Sequence, residues 1–203
     1  MGHTWLTAFG EQIDNAIDSG ATDVWVLMDE HRLYVADNGS GMSDLAGSLL
    51  QARLGKKNLI GQKNQGFLDA LIYQTGMRGV HSVWTKCRDT KHMSRLKLDL
   101  RAFANEYELQ SADPNAGHID HDALQCKLTG GVTKADHDDT IHTLTKSGEE
   151  TVHQIFDTEL ADGGTCIVFE HQNVGGYIPT DITPLGHYAQ CMYVNYAFIL
   201  HIQ

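Results

Sequence analysis

Residues 11–18 read Glu11-Gln-Ile-Asp-Asn-Ala-Ile-Asp18. Glu11, Asn15 and Asp18 stand at i, i+4 and i+7, so a helix stacks them turn above turn on one face. Ile13 and Ile17 mark a different face that can be buried. The apolar series extends outward from this segment: Leu6, Phe9, Ile13 and Ile17 recur in steps of three and four, which predicts a helix over Trp5–Ser19. Thr4 is a candidate N-cap and Gly20 a stop. The polar face carries acids and an amide, with no Lys or Arg between Glu11 and Asp18. It is either a solvated surface or one wall of a site, and the segment alone supports both readings about equally.

Downstream, Asp23–Met28 and Leu33–Asp37 are apolar runs around the polar turn 29–32, the pattern of a hairpin. Asn38-Gly39-Ser40-Gly41 is a loop rich in glycine. A helix is expected from Ser43 to about Leu54, with Asp44 in its first turn. Residues 55–66 form a polar loop, and Phe67, Leu68, Leu71 and Ile72 predict a helix entered directly from it. Val80–Lys86 and Arg95–Leu100 alternate as strands do. Residues 111–162 are crowded with acids, and they read as mostly loop, with a strand near 123–128 and a short helix near 152–159. Cys166–Glu170 is a strand, and a last helix is expected over about Leu185–Ile199. The order implies an α+β two-layer sandwich: a mixed, mostly antiparallel sheet with helices on one face. We expect one domain over residues 1–203, with 111–162 an acidic insertion or irregular region, in a chain that resembles a piece of a longer protein.

Composition narrows the function classes. Of 203 residues 41% are hydrophobic, enough for a core. The formal charge of -11 argues against a nucleic-acid-binding surface, which needs a basic patch. DNA contacts would have to lie in other domains or subunits. The four cysteines are far apart, which fits a reduced, intracellular protein. No apolar run is long enough to span a membrane. His118 and His121 sit among acids, but twelve histidines make chance clusters common. Within this acidic chain residues 45–68 contain no acid, while Arg53, Lys56, Lys57 and Lys63 fall inside that window. It reads as a solvated basic loop or as a lid over an anion.

Each motif has an ordinary reading by itself. Asp37-Asn-Gly39-Ser-Gly41 is a good turn sequence, and Thr165 is a good strand residue. Together, and in this order, four segments resemble the GHKL family of ATPases, which includes gyrase B, the ninety-kilodalton heat-shock chaperones, MutL proteins, MORC proteins and sensor histidine kinases. They are Glu11-x-x-x-Asn15-x-x-Asp18, Asp37-Asn-Gly39-Ser-Gly41-Met42, Ile60-Gly61-Gln62-Lys63-Asn64-Gln65-Gly66-Phe67, and Gly164-Thr165.

The resemblance implies the Bergerat ATP-binding fold and an ATPase using ATP and Mg²⁺. Asp37 would accept from the adenine amino group, Gly39 and Gly41 would let backbone approach the ring, Met42 would support it, and Thr165 would donate to it. Asn15 would hold Mg²⁺, which keeps few protein ligands and takes the rest from water and phosphate. Glu11 would activate or orient the attacking water, and the family's histidine kinases lack this residue. Asp14 and Asp18 would support the metal shell or the ribose, or merely cap the polar face. Gly61 to Phe67 would form the lid over the phosphates. The family's middle lid glycine is Asn64 here, a departure that bears on lid closure and hydrolysis rate more than on binding. The resemblance further implies slow hydrolysis coupled to homodimerisation or partner binding. The alternatives it carries are the ATPase part of a topoisomerase, mismatch-repair or MORC-like chromatin machine, and a nucleotide-gated interaction module without hydrolysis.

Overall fold

The computed structural model describes residues 5–29, 32–43, 45, 80–89, 93–112, 127, 149–170, 182–193 and 195–203. The described residues form ten elements: α1 (Trp5–Asp18), β1 (Asp23–Met28), β2 (Arg32–Asp37), β3 (Val80–Lys86), β4 (Met93–Asp99), α2 (Leu100–Ala112), α3 (Glu149–Thr158), β5 (Gly164–Glu170), α4 (Thr183–Met192) and β6 (Ile199–Ile202). The expected helices from Ser43 and from Phe67, the loop between them and most of 111–162, with His118 and His121, lie outside the described residues. Of the strand expected at 123–128 only Lys127 is described, and its backbone is helical. No helix among the described residues is long and apolar enough to cross a membrane.

The fold is α+β, built on a mixed six-stranded sheet in the order β4-β3-β5-β2-β1-β6. All neighbours run antiparallel except β1 and β6, which are parallel. Because side chains alternate across a strand, the register sorts the sheet into two faces. One carries Val24, Val26, Leu33, Val35, Val83, Leu96, Leu98, Ile167 and Phe169, and it packs against Phe9, Ile13 and Ala16 of α1 and Leu185 and Ala189 of α4. Burying Phe9 and Ile13 contributes about 2 kcal/mol each relative to leaving them in water, which makes α1 a fixed platform. It ends where Gly20 N–H bonds Ile17 O at 2.9 Å and Ala21 N–H bonds Ala16 O at 3.0 Å, a Schellman closure with Gly20 at φ 78°.

The second face carries Trp25, Tyr34, Ala36, Trp84, Cys166 and Val168. The mixed α+β arrangement is as expected, but this face is not bare: Val152, Ile155 and Phe156 of α3, with Leu160 beyond it, cover it. So the helices are not confined to one face. The aromatic residues Trp25, Tyr34 and Trp84 alternate with the aliphatic inner positions, and such side chains need a partner on their side too.

Several elements differ from expectation. β4 begins two residues earlier and hands over at Asp99 to α2, which the sequence pattern did not announce. Asp99 Oδ1 accepts from Ala102 N–H at 2.9 Å and starts that helix. The last helix stops at Met192 instead of Ile199, and Ile199–Ile202 instead form β6 on the edge of β1. Helical spacing loses there to an available strand edge, which takes the β-branched Ile199 and Ile202. Of the buried polar side chains described, Gln12 and His81 have polar atoms with no hydrogen-bond partner among the described residues. Burial alone pushes the His81 imidazole down to about 4.

Candidate functional site

Register brings Asp37, Thr165 and Thr85 into one row. Asp37 on β2 pairs with Thr165 on β5, and Thr165 pairs with Thr85 on β3. Each continues the parity of Val35, Ile167 and Val83, so all three belong to the face on which α1 packs. Where that row runs, the apolar face of the sheet becomes polar.

Asp37 is held by two donors. Its Oδ1 accepts from Gly39 N–H at 2.9 Å and from Ser19 Oγ at 3.3 Å. Ser19 also donates to Ala16 O at 2.7 Å, so its single proton favours the helix end and reaches Asp37 only weakly. Oδ2 accepts no hydrogen bond among the described residues. Burial pushes the Asp37 carboxyl up to about 6, against the pull of the Gly39 and Ser19 donors. On the other face of the sheet its own burial, with the Asp37 charge added, raises the Cys166 thiol. Gly39 leaves no room for a side chain: a Cβ would run into Ser19 Oγ and Asp37 Oδ1. Gly41 combines φ 68° with the close approach of Lys86 O, so a side chain there would be strained and would collide with backbone.

Met42 is fixed by its N–H, which donates to Thr85 Oγ1 at 2.8 Å. Thr85 in turn donates to Gly164 O at 3.1 Å. That leaves Thr165 Oγ1, 3.4 Å from Thr85 Oγ1, as the donor in any bond between the two hydroxyls. Thr85 and Ser19 were missed in the sequence. Thr85 could have been found, because the alternation of 80–86 places it on the buried side with Val83, where a fully buried hydroxyl needs a purpose.

On α1, Asn15 is exposed, while Glu11 and Asp18 are half-buried and Asp18 has further contacts. Asp14 has turned to the end of α4. Tyr193 Oη lies 2.8 Å from Asp14 Oδ1 and 2.9 Å from Gly10 O, joining the two helices. Burial raises the Asp14 carboxyl and the Tyr188 and Tyr193 hydroxyls, and the acids of α1 raise both tyrosines further. Asp14 is thus a packing contact of α1 with α4. The fold brings Asp37, Gly39, Gly41, Met42 and Thr165 together, and it places the end of the Glu11–Asp18 helix against them through Ser19. The lid residues Gly61, Gln62, Lys63, Asn64, Gln65, Gly66 and Phe67 lie outside the described residues.

No cluster of three His, Cys, Asp or Glu that could hold a metal exists among the described residues. An exposed amide at Asn15 is a single neutral oxygen donor. It fits Mg²⁺, which takes most of its ligands from water and phosphate, and does not fit a protein-caged metal. A shallow concavity of about 470 Å³ lined by Asn38, Arg88, Thr158, Glu159, Asp162 and Gly163 contains none of Asp37, Met42 or Thr165.

No protein-family model and no curated protein matches the chain. Among solved structures it is similar to the ATPase and transducer domains of DNA topoisomerase II from Balamuthia mandrillaris, at 14% identity and a TM-score of 0.48, over 97% of this chain and 46% of that one. It is also similar to the N-terminal domain of a DNA repair protein, at 14% identity and a TM-score of 0.39, over 96% of this chain and 46% of that one. The chain therefore spans less than half the length of either solved chain.

Proposed function

We propose that this chain is a GHKL-type ATP-binding domain with a Bergerat fold that binds ATP with Mg²⁺ and hydrolyses it slowly. The observation that carries the reading is the Asp37–Thr165 pair. A carboxylate with one oxygen engaged and the other accepting no hydrogen bond among the described residues sits across the sheet from a hydroxyl. Gly39, Gly41 and Met42 lie beside it. An adenine edge offers a donor to the first and an acceptor to the second. In this reading Asn15 holds Mg²⁺, which supplies charge for the phosphates. Asp18 supports that side. Glu11, one turn before Asn15, orients or deprotonates the attacking water, as a general base needs to be only within reach of that proton. Gly61 to Phe67 close over the triphosphate.

Coupling of nucleotide state to a homodimer or partner, DNA contact only through other segments, and an intracellular location belong to the same reading. Calorimetric titration with ATP, with and without Mg²⁺, tests it. Binding with one ATP per chain that weakens without Mg²⁺ is expected, and absence of binding to the folded protein would sink it. Glu11→Ala should leave ATP affinity within about threefold while lowering hydrolysis by about 10²-fold or more. Asn64 in place of the family's lid glycine favours a second reading, a nucleotide-gated module that does not hydrolyse. ATP still intact after hours in a single-turnover mixture would select it.

A further inference from the structure

We propose that His201, on the edge strand β6, is a positioning residue for the nucleotide loop and acts through Asp23 and Asn38. This rests on the nucleotide reading of Asp37 above. His201 Nε2 lies 2.9 Å from Asp23 Oδ1, and its ring stacks on Trp25 at 5.1 Å with planes 8° apart. The other oxygen of Asp23 accepts from Asn38 Nδ2 at 3.1 Å and from Thr22 Oγ1 at 2.7 Å. Asn38 Oδ1 accepts from Thr22 N–H at 2.9 Å and Asp23 N–H at 3.0 Å. Both ends of the Asn38 amide are thereby spent on the start of β1, and the strand that closes on Asp23 from outside is β6.

The link from Asn38 to Asp37 is one peptide unit. The carbonyl of Asn38 and the N–H of Gly39 belong to the same plane. Arg88 Nη2 donates to that carbonyl at 2.6 Å, and that N–H donates to Asp37 Oδ1 at 2.9 Å. Rotating the plane breaks both bonds and leaves the carboxylate with the weak Ser19 donor. Asn38 opposes the rotation through its side chain: backbone N–H groups hold its Oδ1, and the Asp23 carboxylate holds its Nδ2 only while that carboxylate is oriented. His201 supplies that orientation, and its hydrogen bond is the largest influence holding the Asp23 carboxyl below its usual range. In the motif Asp37-Asn-Gly39-Ser-Gly41, Asn38 is therefore the residue by which β6 reaches the base-reading carboxylate.

Two measurements on the whole chain test this. In the ligand-free protein, hydrogen exchange of the Gly39 amide followed by NMR should be about three- to tenfold faster in His201→Ala, with the amides of β3 and β4 unchanged. ATP affinity by calorimetry should weaken about threefold in His201→Ala and about tenfold in Asn38→Ala, and the double variant should be no weaker than Asn38→Ala alone. His201→Gln, whose amide can donate to the same oxygen, should restore both readouts, which a loss of strand packing would not allow.

Unchanged Gly39 exchange in His201→Ala would overturn the proposal. So would a double variant whose affinity loss is the product of the two single losses. A parent protein that binds no ATP would remove the nucleotide reading and the affinity claim with it. The Gly39 exchange arm would then still decide whether His201 governs the loop.

Discussion

Replacing Asp37 by Asn tests the site and its energetics together. The amide oxygen of Asn can still accept from Gly39 N–H and Ser19 Oγ, so the loop geometry of the parent is preserved. Two things change: the charge disappears, and Oδ2, which accepts no hydrogen bond among the described residues, becomes an NH₂ donor. A carboxyl raised by burial from 3.8 to about 6 favours its neutral form in the folded state. Its contribution to stability is therefore full below 3.8 and is lost as pH rises through about 6. Two units at about 1.4 kcal/mol each put the upper limit of that loss near 3 kcal/mol. Residual exposure of Asp37 brings the expected value to about 1–2 kcal/mol. Asp37→Asn should thus be more stable than the parent by about 1–2 kcal/mol at pH 7 and equal to it near pH 4, as read from urea unfolding at several pH values. ATP binding should move the other way. An adenine amino group facing an amide NH₂ leaves two donors opposed, and affinity should fall by more than about 10²-fold at pH 7. In the parent, affinity should also fall as pH drops through about 6, because the acceptor becomes protonated. A variant that binds ATP as tightly as the parent would show that Asp37 does not read the base. A variant less stable than the parent at pH 7 would show that the buried carboxylate stabilises the loop, and that its desolvation is outweighed by the Gly39 and Ser19 donors.

Two other substitutions follow from the same geometry. Thr85→Val keeps the shape of a buried side chain but removes the acceptor of Met42 N–H and the donor to Gly164 O; unfolding free energy should drop by about 1–3 kcal/mol, and ATP affinity should weaken with it. His81→Leu removes two ring nitrogens without partners among the described residues, and it should stabilise the fold by about 1–2 kcal/mol at pH 7. The His81 ring is lowered to about 4, so the parent is unaffected by its titration above the unfolded value of 6.5 and loses stability as pH falls toward 4. The difference in stability between His81→Leu and the parent should widen over that range, and a constant difference would remove the explanation by burial.

Much of the sheet was legible because its period is two and its turns are marked. Asp23–Met28 and Val80–Lys86 have the limits that alternation and turn residues set, and the Asp37 and Thr165 positions fell at strand ends as their motifs required. What could not be read from a single segment was register. Nothing local to Thr85 says that it will stand beside Thr165, because that depends on β5 being inserted between β2 and β3. The same applies to Ser19, which reads as the last residue of a helix until the fold carries Asp37 to it. α2 was missed because its face is weakly apolar: among its described side chains only Leu100 is buried deeply, and Leu109 is exposed. Asp14 reads like its neighbours on the sequence, and only the arrival of Tyr193 from the end of α4 gives it a different partner.

The parallel pairing of β6 with β1 has a consequence for the making of the protein. Ile199–Ile202 join Asp23–Val26 across nearly the whole of the chain, while β2, the other neighbour of β1, follows it immediately. During synthesis one side of β1 is therefore satisfied within seconds and the other must wait until residue 202 has left the ribosome. Contacts that span so much chain close slowly. In the interval the nascent domain presents the backbone of a strand rich in Val, Trp and Leu as an open template for other chains. Expression at low temperature or with chaperones that cover such edges should raise the soluble yield, and a chain cut before Ile199 should aggregate where the whole one does not.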